Sequence, residues 1–224
     1  AGKTDITEGQ DAGISVKELL QNNIQEALDK AENGRFYVGI SQTADYKTKD
    51  VAHLGDAYMI KKLNERDILV KKVDIFPLEV IVRNITTGSF CKRLGAPEGI
   101  VLDEPIFEMS YKNDEYGDPL INDDHAVALK LATREELAYI KETTLKINEL
   151  LKEFFLSMNL KLVDFKIEFG KTADGTILLA DEISPDSCRL WDVDTNQKYD
   201  KDVFRQDIGD LIETYKAVLA RMEK

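Results

Sequence analysis

The first regular pattern of apolar and polar residues predicts an amphipathic helix from Val16 to Asn33. Ser15 and Glu18 have the spacing of a capping box, and Gly34 follows the last periodic position. Apolar residues recur every three or four positions: Val16, Leu20, Ile24, Ala27, Leu28 and Ala31. Residues 35–57 mix short apolar pieces with glycine and charged residues, and they predict no regular element.

Beyond Tyr58 the pattern predicts strands and helices in separate runs. Ile68–Val73 and Leu78–Val82 are rich in branched residues and are interrupted by Pro77, which predicts two strands. Residues 88–125 contain many glycines and are predicted to be mainly loop. Strands are also predicted over 161–170 and 176–182, on either side of the hairpin signal Asp174-Gly175.

Two further helices complete the prediction. Thr133 and Glu136 form a second capping box. The helix that follows has one apolar face: Leu137, Ile140, Thr144, Ile147, Leu151 and Phe154. The last helix has another: Ile208, Leu211, Ile212, Tyr215, Val218 and Leu219. Because strands and helices are segregated rather than alternating, the sequence favours an α+β fold.

The strand over 161–170 carries the first candidate chemistry. Its period of two places Asp164, Lys166 and Glu168 on one face and the apolar residues Val163, Phe165, Ile167 and Phe169 on the other. A two-residue hairpin turn sets Asp181 opposite Glu168, and a four-residue turn sets it opposite Lys166. Such a crowded set of charges is either a solvated face or the site of a hard divalent cation such as Mg²⁺.

A second candidate site involves two arginines. Arg83 ends the strand that begins at Leu78 and is followed by the turn Thr86-Thr87-Gly88-Ser89, whose N–H groups and hydroxyls suit a phosphate. The competing interpretation of Arg83 is a surface salt bridge. Arg189 lies beside the only tryptophan of the chain, in a polar segment that follows Asp181, and is also suited to an anion.

Composition narrows the class of protein. The 224 residues carry a net charge of −12, which argues against nucleic-acid and anionic-membrane partners. No apolar run approaches the ~20 residues of a membrane span. Cys91 and Cys188 have no metal-ligand spacing and are expected to be reduced thiols, so a cytoplasmic location is expected.

The motifs resemble those of the SAICAR synthetase family over residues 58–224. The two signature stretches are Pro-Leu-Glu-Val-Ile-Val-Arg from Pro77, followed by Thr-Gly-Ser, and Leu-Val-Asp-Phe-Lys-Ile-Glu-Phe-Gly from Leu162. The runs Lys-Arg-Leu-Gly at 92–95, Tyr-Lys-Asn-Asp at 111–114, Asp-Pro-Leu-Ile-Asn-Asp at 118–123 and Asp-Glu-Ile-Ser-Pro-Asp at 181–186 also match. So do Asp-Lys-Asp at 200–202 and Phe-Arg at 204–205.

This resemblance implies a two-lobed α+β fold, with an N-terminal lobe over 1–76 and a larger lobe over 77–224 around an ATP cleft like that of ATP-grasp and kinase-like proteins. It implies an ATP- and Mg²⁺-dependent ligase that joins carboxyaminoimidazole ribonucleotide (CAIR) to L-aspartate.

The resemblance further implies a role for each site residue. Glu168 and Asp181 would bind Mg²⁺ and the ATP phosphates, and Asp164 and Lys166 would lie at the transferring phosphoryl group. The 5′-phosphate of the ribonucleotide would be bound by Arg83, Ser89, Arg189 and Lys201, and the connection from Val73 to Glu79 would face the adenine. The cysteines, His53 and His125 need no catalytic role, and a homodimer is left open.

Residues 1–57 depart from the family pattern, because no glycine- and lysine-containing hairpin precedes the first helix. An ATP cleft open on its N-terminal side is therefore expected, with 35–57 as its most mobile segment. Two alternatives to an active ligase are a nucleotide-binding homologue without catalysis and a related acid–amine ligase that uses another amine.

Overall fold

A computed structural model describes residues 59–62, 68–180 and 182–222. The ten strands within these ranges are β1 Met59–Lys62, β2 Ile68–Val70, β3 Asp74–Ile75, β4 Leu78–Ile85, β5 Val101–Tyr111, β6 Leu120–Ile121, β7 Leu160–Ile167, β8 Phe169–Lys171, β9 Ile177–Leu179 and β10 Cys188–Asp192. The helices are α1 Gly88–Leu94, α2 Asp123–Ala128, α3 Arg134–Ser157, α4 Asp202–Arg205 and α5 Leu211–Met222, with one 3₁₀ turn at Asp114–Tyr116. The predicted helix at 16–33 and the segment 35–57 lie outside these ranges.

A five-stranded antiparallel sheet in the order β10-β7-β4-β5-β6 organises the fold. A three-stranded sheet, β3-β8-β9, continues from it, and β1 pairs with β2 in a third sheet. Helix α3 packs on β7 and β4, and it begins at the predicted capping box of Thr133 and Glu136. The mixture of segregated helices and antiparallel sheets confirms the α+β class.

The apolar stripe of α3 faces the core, as its periodicity predicts. Leu137, Ile140, Ile147 and Leu151 are all buried, and Phe155 is completely buried where Phe154 was expected. The core itself is formed by the apolar face of the sheet and this helix. The opposite face of the sheet is therefore the one that carries polar side chains.

Several element boundaries differ from the predictions. Of the predicted strand 68–73 only Ile68–Val70 forms a strand, β2, and β3 begins after it at Asp74. The predicted loop 88–125 contains α1, the eleven-residue strand β5, the short strand β6 and the start of α2. Strand β10 was not predicted as a strand. Ile208 is 58% exposed and precedes α5, which begins at Leu211, so its assignment to the last helix is wrong.

A β-bulge in β7 changes the face of the sheet on which Val163 lies. The pairing of β10 with β7 shifts by one residue between Arg189 and Leu190, which leaves one extra residue in β7 between Leu162 and Asp164. Val163 consequently packs in a separate small cluster with Ile85 and Trp191, while Phe165 and the following apolar residues join the main core. Strict alternation from Val163 onward was wrong, because a bulge moves the residues before it to the other face.

The hairpin at Asp174-Gly175 has a register that neither predicted turn length produces. Phe169 pairs with Leu179, and Thr172 N donates to Thr176 O at 2.9 Å, so three residues form the loop. Gly175 has a φ of +92°, as this kind of turn requires. Ala180 N donates to Glu168 O at 2.9 Å, so Ala180 and not Asp181 lies across from Glu168. The register argument for Asp181 is therefore wrong, and Asp181 itself lies outside the described residues.

Candidate active site

The polar face of the five-stranded sheet carries the candidate site. Arg83 on β4 pairs with Asp164 on β7, which in turn pairs with Arg189 on β10. Adjacent strands lie about 5 Å apart, so three residues in one row across a sheet necessarily have their side chains in contact range. The antiparallel pairing thus gathers residues that are 81 and 25 positions apart in the sequence.

Asp164 is the shared acid of the two arginines. Its carboxylate accepts from Arg83 Nη1 at 2.8 Å and from Arg189 Nη1 at 2.9 Å, and the residue is 4% exposed. Burial raises the pKa of the Asp164 carboxyl, and the two guanidinium groups oppose that shift. Arg83 is only 2% exposed, so the interpretation of Arg83 as part of a surface salt bridge is wrong.

Ser89 and Gly88 bring the Thr-Gly-Ser segment against the arginines. Arg83 Nη2 donates to Ser89 Oγ at 3.1 Å. Gly88 has a φ of +55°, and a Cβ at this position would lie 2.8 Å from Arg189 Nη2. Only glycine allows the backbone to come this close to the guanidinium. The structure thus brings Arg83, Ser89 and Arg189 together, as the sequence predicted.

Two acidic residues that were not among the predicted site residues also bind the arginines. Glu108 on β5 accepts from Arg83 Nε at 2.7 Å and from Arg93 at 2.6 Å. Asp202 accepts from Arg189 Nε at 2.7 Å. Glu108 was not predicted as a site residue because no strand was predicted there, whereas Asp202 belongs to a motif of the family that had no assigned role.

Asp200 fixes the position of Asp202. Its carboxylate is fully buried and accepts from the backbone N–H groups of Leu190 and Asp202, each at 2.8 Å. Burial raises the pKa of Asp200 to about 6, while these two hydrogen bonds act in the opposite direction. Asp200 therefore ties the start of α4 to β10, the strand that carries Arg189.

A second row of charges lies further along the same face. Lys166 Nζ donates to Glu79 Oε1 at 2.5 Å, and Lys112 Nζ donates to Glu168 Oε1 at 2.5 Å. Each predicted carboxylate of this row is thus paired with a lysine, and Lys112 was missed as a partner. Among the residues that the structure describes, no three metal-binding side chains form a cluster that could hold a metal by themselves.

Lys201 lies at the edge of the arginine cluster. Its Nζ is 3.9 Å from Asp186 Oδ1. Burial lowers the pKa of Lys201, although Asp186 opposes the shift, and the charges of Arg205, Lys166 and Arg189 lower it further. Lys201 directly precedes α4, whose first residue, Asp202, accepts a hydrogen bond from Arg189.

The connection from Val73 to Glu79, which contains β3 and the start of β4, was predicted to face an adenine. Val73 is 7% exposed and packs against Gly170. Residues 74–77 of the connection line a cavity of about 660 Å³, whose other wall is formed by residues 130–136 and Lys171. None of the arginines at Asp164 lines this cavity, and neither Val73 nor Glu79 does.

The remaining potentially reactive side chains are those of the cysteines and histidines. Cys91 and Cys188 are both free thiols, and burial raises the pKa of Cys188 to about 12. His125 accepts from the Asn122 backbone in the capping box of α2. His53 lies outside the described residues. In the described part of the chain, no helix is both long and apolar enough to cross a membrane.

The candidate site of this α+β protein thus consists of two arginines that share one buried carboxylate beside a glycine turn, on one face of an antiparallel sheet. The chain belongs to the SAICAR synthetase family, whose sequence profile matches residues 15–222. The phosphoribosylaminoimidazole-succinocarboxamide synthase of Finegoldia magna is 68% identical over 165 residues, which are 74% of this chain and 71% of that protein.

Solved structures agree with this assignment. A SAICAR synthetase in complex with ADP is 49% identical, has a TM-score of 0.75, and is matched over 78% of this chain and 75% of that one. A phosphoribosylaminoimidazole-succinocarboxamide synthase from Ehrlichia chaffeensis is 38% identical with a TM-score of 0.73, and the match covers 94% of this chain and 83% of that one. Both the family and the fold expected from the motifs are confirmed.

Proposed function

We propose that the chain is an ATP-dependent ligase of purine biosynthesis, which condenses CAIR with L-aspartate to give SAICAR, ADP and phosphate. The observation that carries this proposal is the meeting of Arg83, Ser89 and Arg189 around one buried carboxylate. The signature motifs of the family supply Arg83, Asp164 and Ser89, and Arg189 lies three residues after the Asp-Glu-Ile-Ser-Pro-Asp run at 181–186. The ADP complex of a 49% identical family member supports a nucleotide as the second ligand.

The arginine cluster is suited to the 5′-phosphate of the ribonucleotide. Arginine presents a planar fork of N–H donors that matches a phosphate, and Arg189 keeps its orientation because Asp202 and Asp164 hold it from two sides. Ser89 adds a hydroxyl, and Lys201 adds a further cation at the rim. Orientation in advance reduces the entropy lost when the phosphate binds.

The second row of charges is suited to Mg²⁺ that arrives with ATP. Glu168 would supply a carboxylate ligand, and the role of Asp181 as the second ligand stays a prediction. Mg²⁺ is usually held by one or two protein carboxylates together with substrate phosphates, so Glu168, with Asp181 as the predicted second ligand, suits a cation that arrives as Mg-ATP. When bound, the cation would neutralise charge on the transferring phosphoryl group.

The reaction needs positioning rather than a side-chain nucleophile. A carboxylate is a poor acyl donor, so a CAIR carboxylate oxygen attacks the γ-phosphorus and ADP leaves, which gives an acyl phosphate. The aspartate amine then attacks the acyl carbon, phosphate leaves, and the amine loses a proton. We assign Lys166 to the region of the phosphoryl group and the Val73–Glu79 connection to the adenine side. Asp164, which was also predicted at the phosphoryl group, instead holds the two arginines that we assign to the ribonucleotide phosphate. Binding two anionic substrates together is the main electrostatic task of such a site.

A turnover assay tests the proposal directly. Purified protein with CAIR, L-aspartate and Mg-ATP should form SAICAR and ADP, and replacing aspartate with other amines should abolish product. Arg189→Ala should raise the KM for CAIR at least about tenfold, because a charge-assisted hydrogen bond is lost. Binding of ribonucleotide and Mg-ATP without turnover would instead favour a non-catalytic homologue. Turnover with another amine would favour a different ligase of this kind.

The lobe boundary near residue 76, a cytoplasmic location and a homodimer stay predictions. Strand β3, which precedes that boundary, pairs with β8 in the larger lobe. The open ATP cleft and the mobility of residues 35–57 concern positions outside the described residues.

A further inference from the structure

The two threonines that precede Gly88 are hydrogen-bonded to the loop of residues 95–100. Thr86 Oγ1 donates to Pro97 O at 2.7 Å and accepts from Ile100 N at 2.9 Å. The Thr86 backbone also accepts from Gly99 N at 2.8 Å and donates to Ile100 O at 2.9 Å. Four hydrogen bonds therefore fix this loop beside the turn that contacts the arginines.

Glu98 is the charged centre of this attachment. Its Oε1 accepts from Thr87 Oγ1 at 2.6 Å and from Lys198 Nζ at 3.2 Å. The Thr87 hydrogen bond is the largest influence that lowers the pKa of Glu98, so the carboxylate is the form that the structure stabilises. The ammonium group of Lys198 lies 5.5 Å from the centre of the Trp191 ring. Trp191 is on β10, the strand that carries Arg189. The contacts join three separate segments of the chain.

The orientation of Thr87 is unusual for its position. Thr87 is the N-cap residue of α1, where a threonine hydroxyl normally accepts a hydrogen bond from the first turn of the helix. Here the side chain makes no capping hydrogen bond. Its hydroxyl is directed to Glu98 instead, and the residue is completely buried. The hydroxyl therefore secures the turn to Glu98 rather than stabilising the helix.

We propose that Glu98 is a positioning residue for the ribonucleotide phosphate, acting through Thr87 and Lys198. The turn that Thr87 opens carries Gly88, which lies against Arg189, and Ser89, which contacts Arg83. Loss of the Glu98 contact frees this turn to move away from both arginines. The ribonucleotide then loses a preorganised site, while groups remote from its phosphate are unaffected. This inference rests on the proposed function.

The experiment compares ligands that differ only in the phosphate. Calorimetry measures the Kd of SAICAR, of the same compound without its 5′-phosphate, and of Mg-ATP. The variants are Glu98→Gln, which removes the charge, and Thr87→Val, which removes the hydroxyl at nearly constant shape. Thr87→Ser keeps the hydroxyl and is the matched control. Glu142→Gln, which breaks a surface ion pair on α3, controls for the loss of an acid elsewhere.

We expect Glu98→Gln and Thr87→Val to raise the Kd of SAICAR about tenfold, because a turn that is held less firmly weakens about one charge-assisted contact to the phosphate. The Kd values of the dephosphorylated compound and of Mg-ATP should stay within about twofold, as should every value for the two controls. An unchanged Kd of SAICAR in both variants overturns the inference, and so does an equal loss for all three ligands. If Thr87→Val does not fold, Glu98→Gln decides alone, since its side chain is 49% exposed. Failure of the wild-type protein to bind SAICAR refutes the proposed function instead.

Discussion

Replacing Gly88 with alanine tests whether the close approach of the turn to Arg189 sets phosphate affinity. Gly88 and Gly95 flank the same short helix and have similar positive φ values, +55° and +65°. An added Cβ would lie 2.8 Å from Arg189 Nη2 at Gly88, whereas nothing lies within 4 Å of it at Gly95. Gly95→Ala is therefore a control with the same backbone strain and without the contact.

The expected effects on stability and on the Kd follow from the backbone strain and from the contact with Arg189. Each alanine has to adopt a left-handed conformation, which costs about 1–2 kcal/mol and is shared by both variants. Only Gly88→Ala also displaces the guanidinium, which Asp164 and Asp202 hold at 2.9 and 2.7 Å. Losing one charge-assisted contact to the phosphate costs about 1.5–3 kcal/mol, so the Kd of the ribonucleotide should rise roughly tenfold to a hundredfold.

The assay measures the KM for CAIR at saturating aspartate and Mg-ATP, the KM for Mg-ATP, and the unfolding free energy in urea. Of the two KM values, Gly88→Ala should raise only the one for CAIR. Gly88→Ala should also lose more stability than Gly95→Ala, because it disturbs the ion pairs of Arg189. If the two variants had the same KM for CAIR, the contact between Gly88 and Arg189 would have no role in binding. A matching rise in the KM for Mg-ATP would also refute the reasoning, because it would indicate a general distortion.

Three further predictions concern stability and reactivity. Asp164→Asn should lower the unfolding free energy by about 3 kcal/mol in urea titrations, since it leaves the buried Arg83 and the half-buried Arg189 with one acid fewer; a loss no larger than that of Glu142→Gln would contradict this. The pKa of Asp200 is raised from 3.8 to about 6, so its stabilising contribution is complete below the first value and is lost as the pH rises through the second. The stability difference between the wild type and Asp200→Asn should therefore narrow from pH ~4 to ~7, and a constant difference would argue against a buried, protonated carboxyl. Under native conditions a thiol reagent should modify Cys91 before Cys188, whose pKa is raised to about 12; equal rates measured by mass spectrometry would be inconsistent with its burial.

Local patterns predicted the elements whose signals lie within the element itself. The capping box of Thr133 and Glu136 and the apolar face of α3 are present as expected, because each depends on residues three or four positions apart. Strand β5 was missed because its Val101–Pro105 end is largely exposed and alternates poorly, so its place depends on pairing with β4. A period-two pattern also cannot reveal the bulge at Val163 or the three-residue turn before Thr176, and each of these shifts a register by one residue.

The predictable part of the site is the set of residues that the sequence patterns had singled out. Arg83, Ser89 and Arg189 converge as expected, since strand pairing brings motif residues together. The acids that orient them were harder to predict, because an exposed-looking glutamate such as Glu108 shows its role only after its strand is placed. The register of Asp181 was derived from an assumed turn length, and the observed turn has a different length.

Asp164 has a consequence for the order in which the molecule assembles. Its two arginine partners come from neighbouring strands on either side, β4 and β10. The arginine cluster that we propose as the phosphate site consequently forms only when all three strands have paired, and no fragment with one of the arginines alone can reproduce it. A ribonucleotide that binds there favours the paired sheet over every partly unfolded form. Substrate should therefore protect the backbone amides of β4, β7 and β10 from hydrogen exchange together, including those far from the ligand.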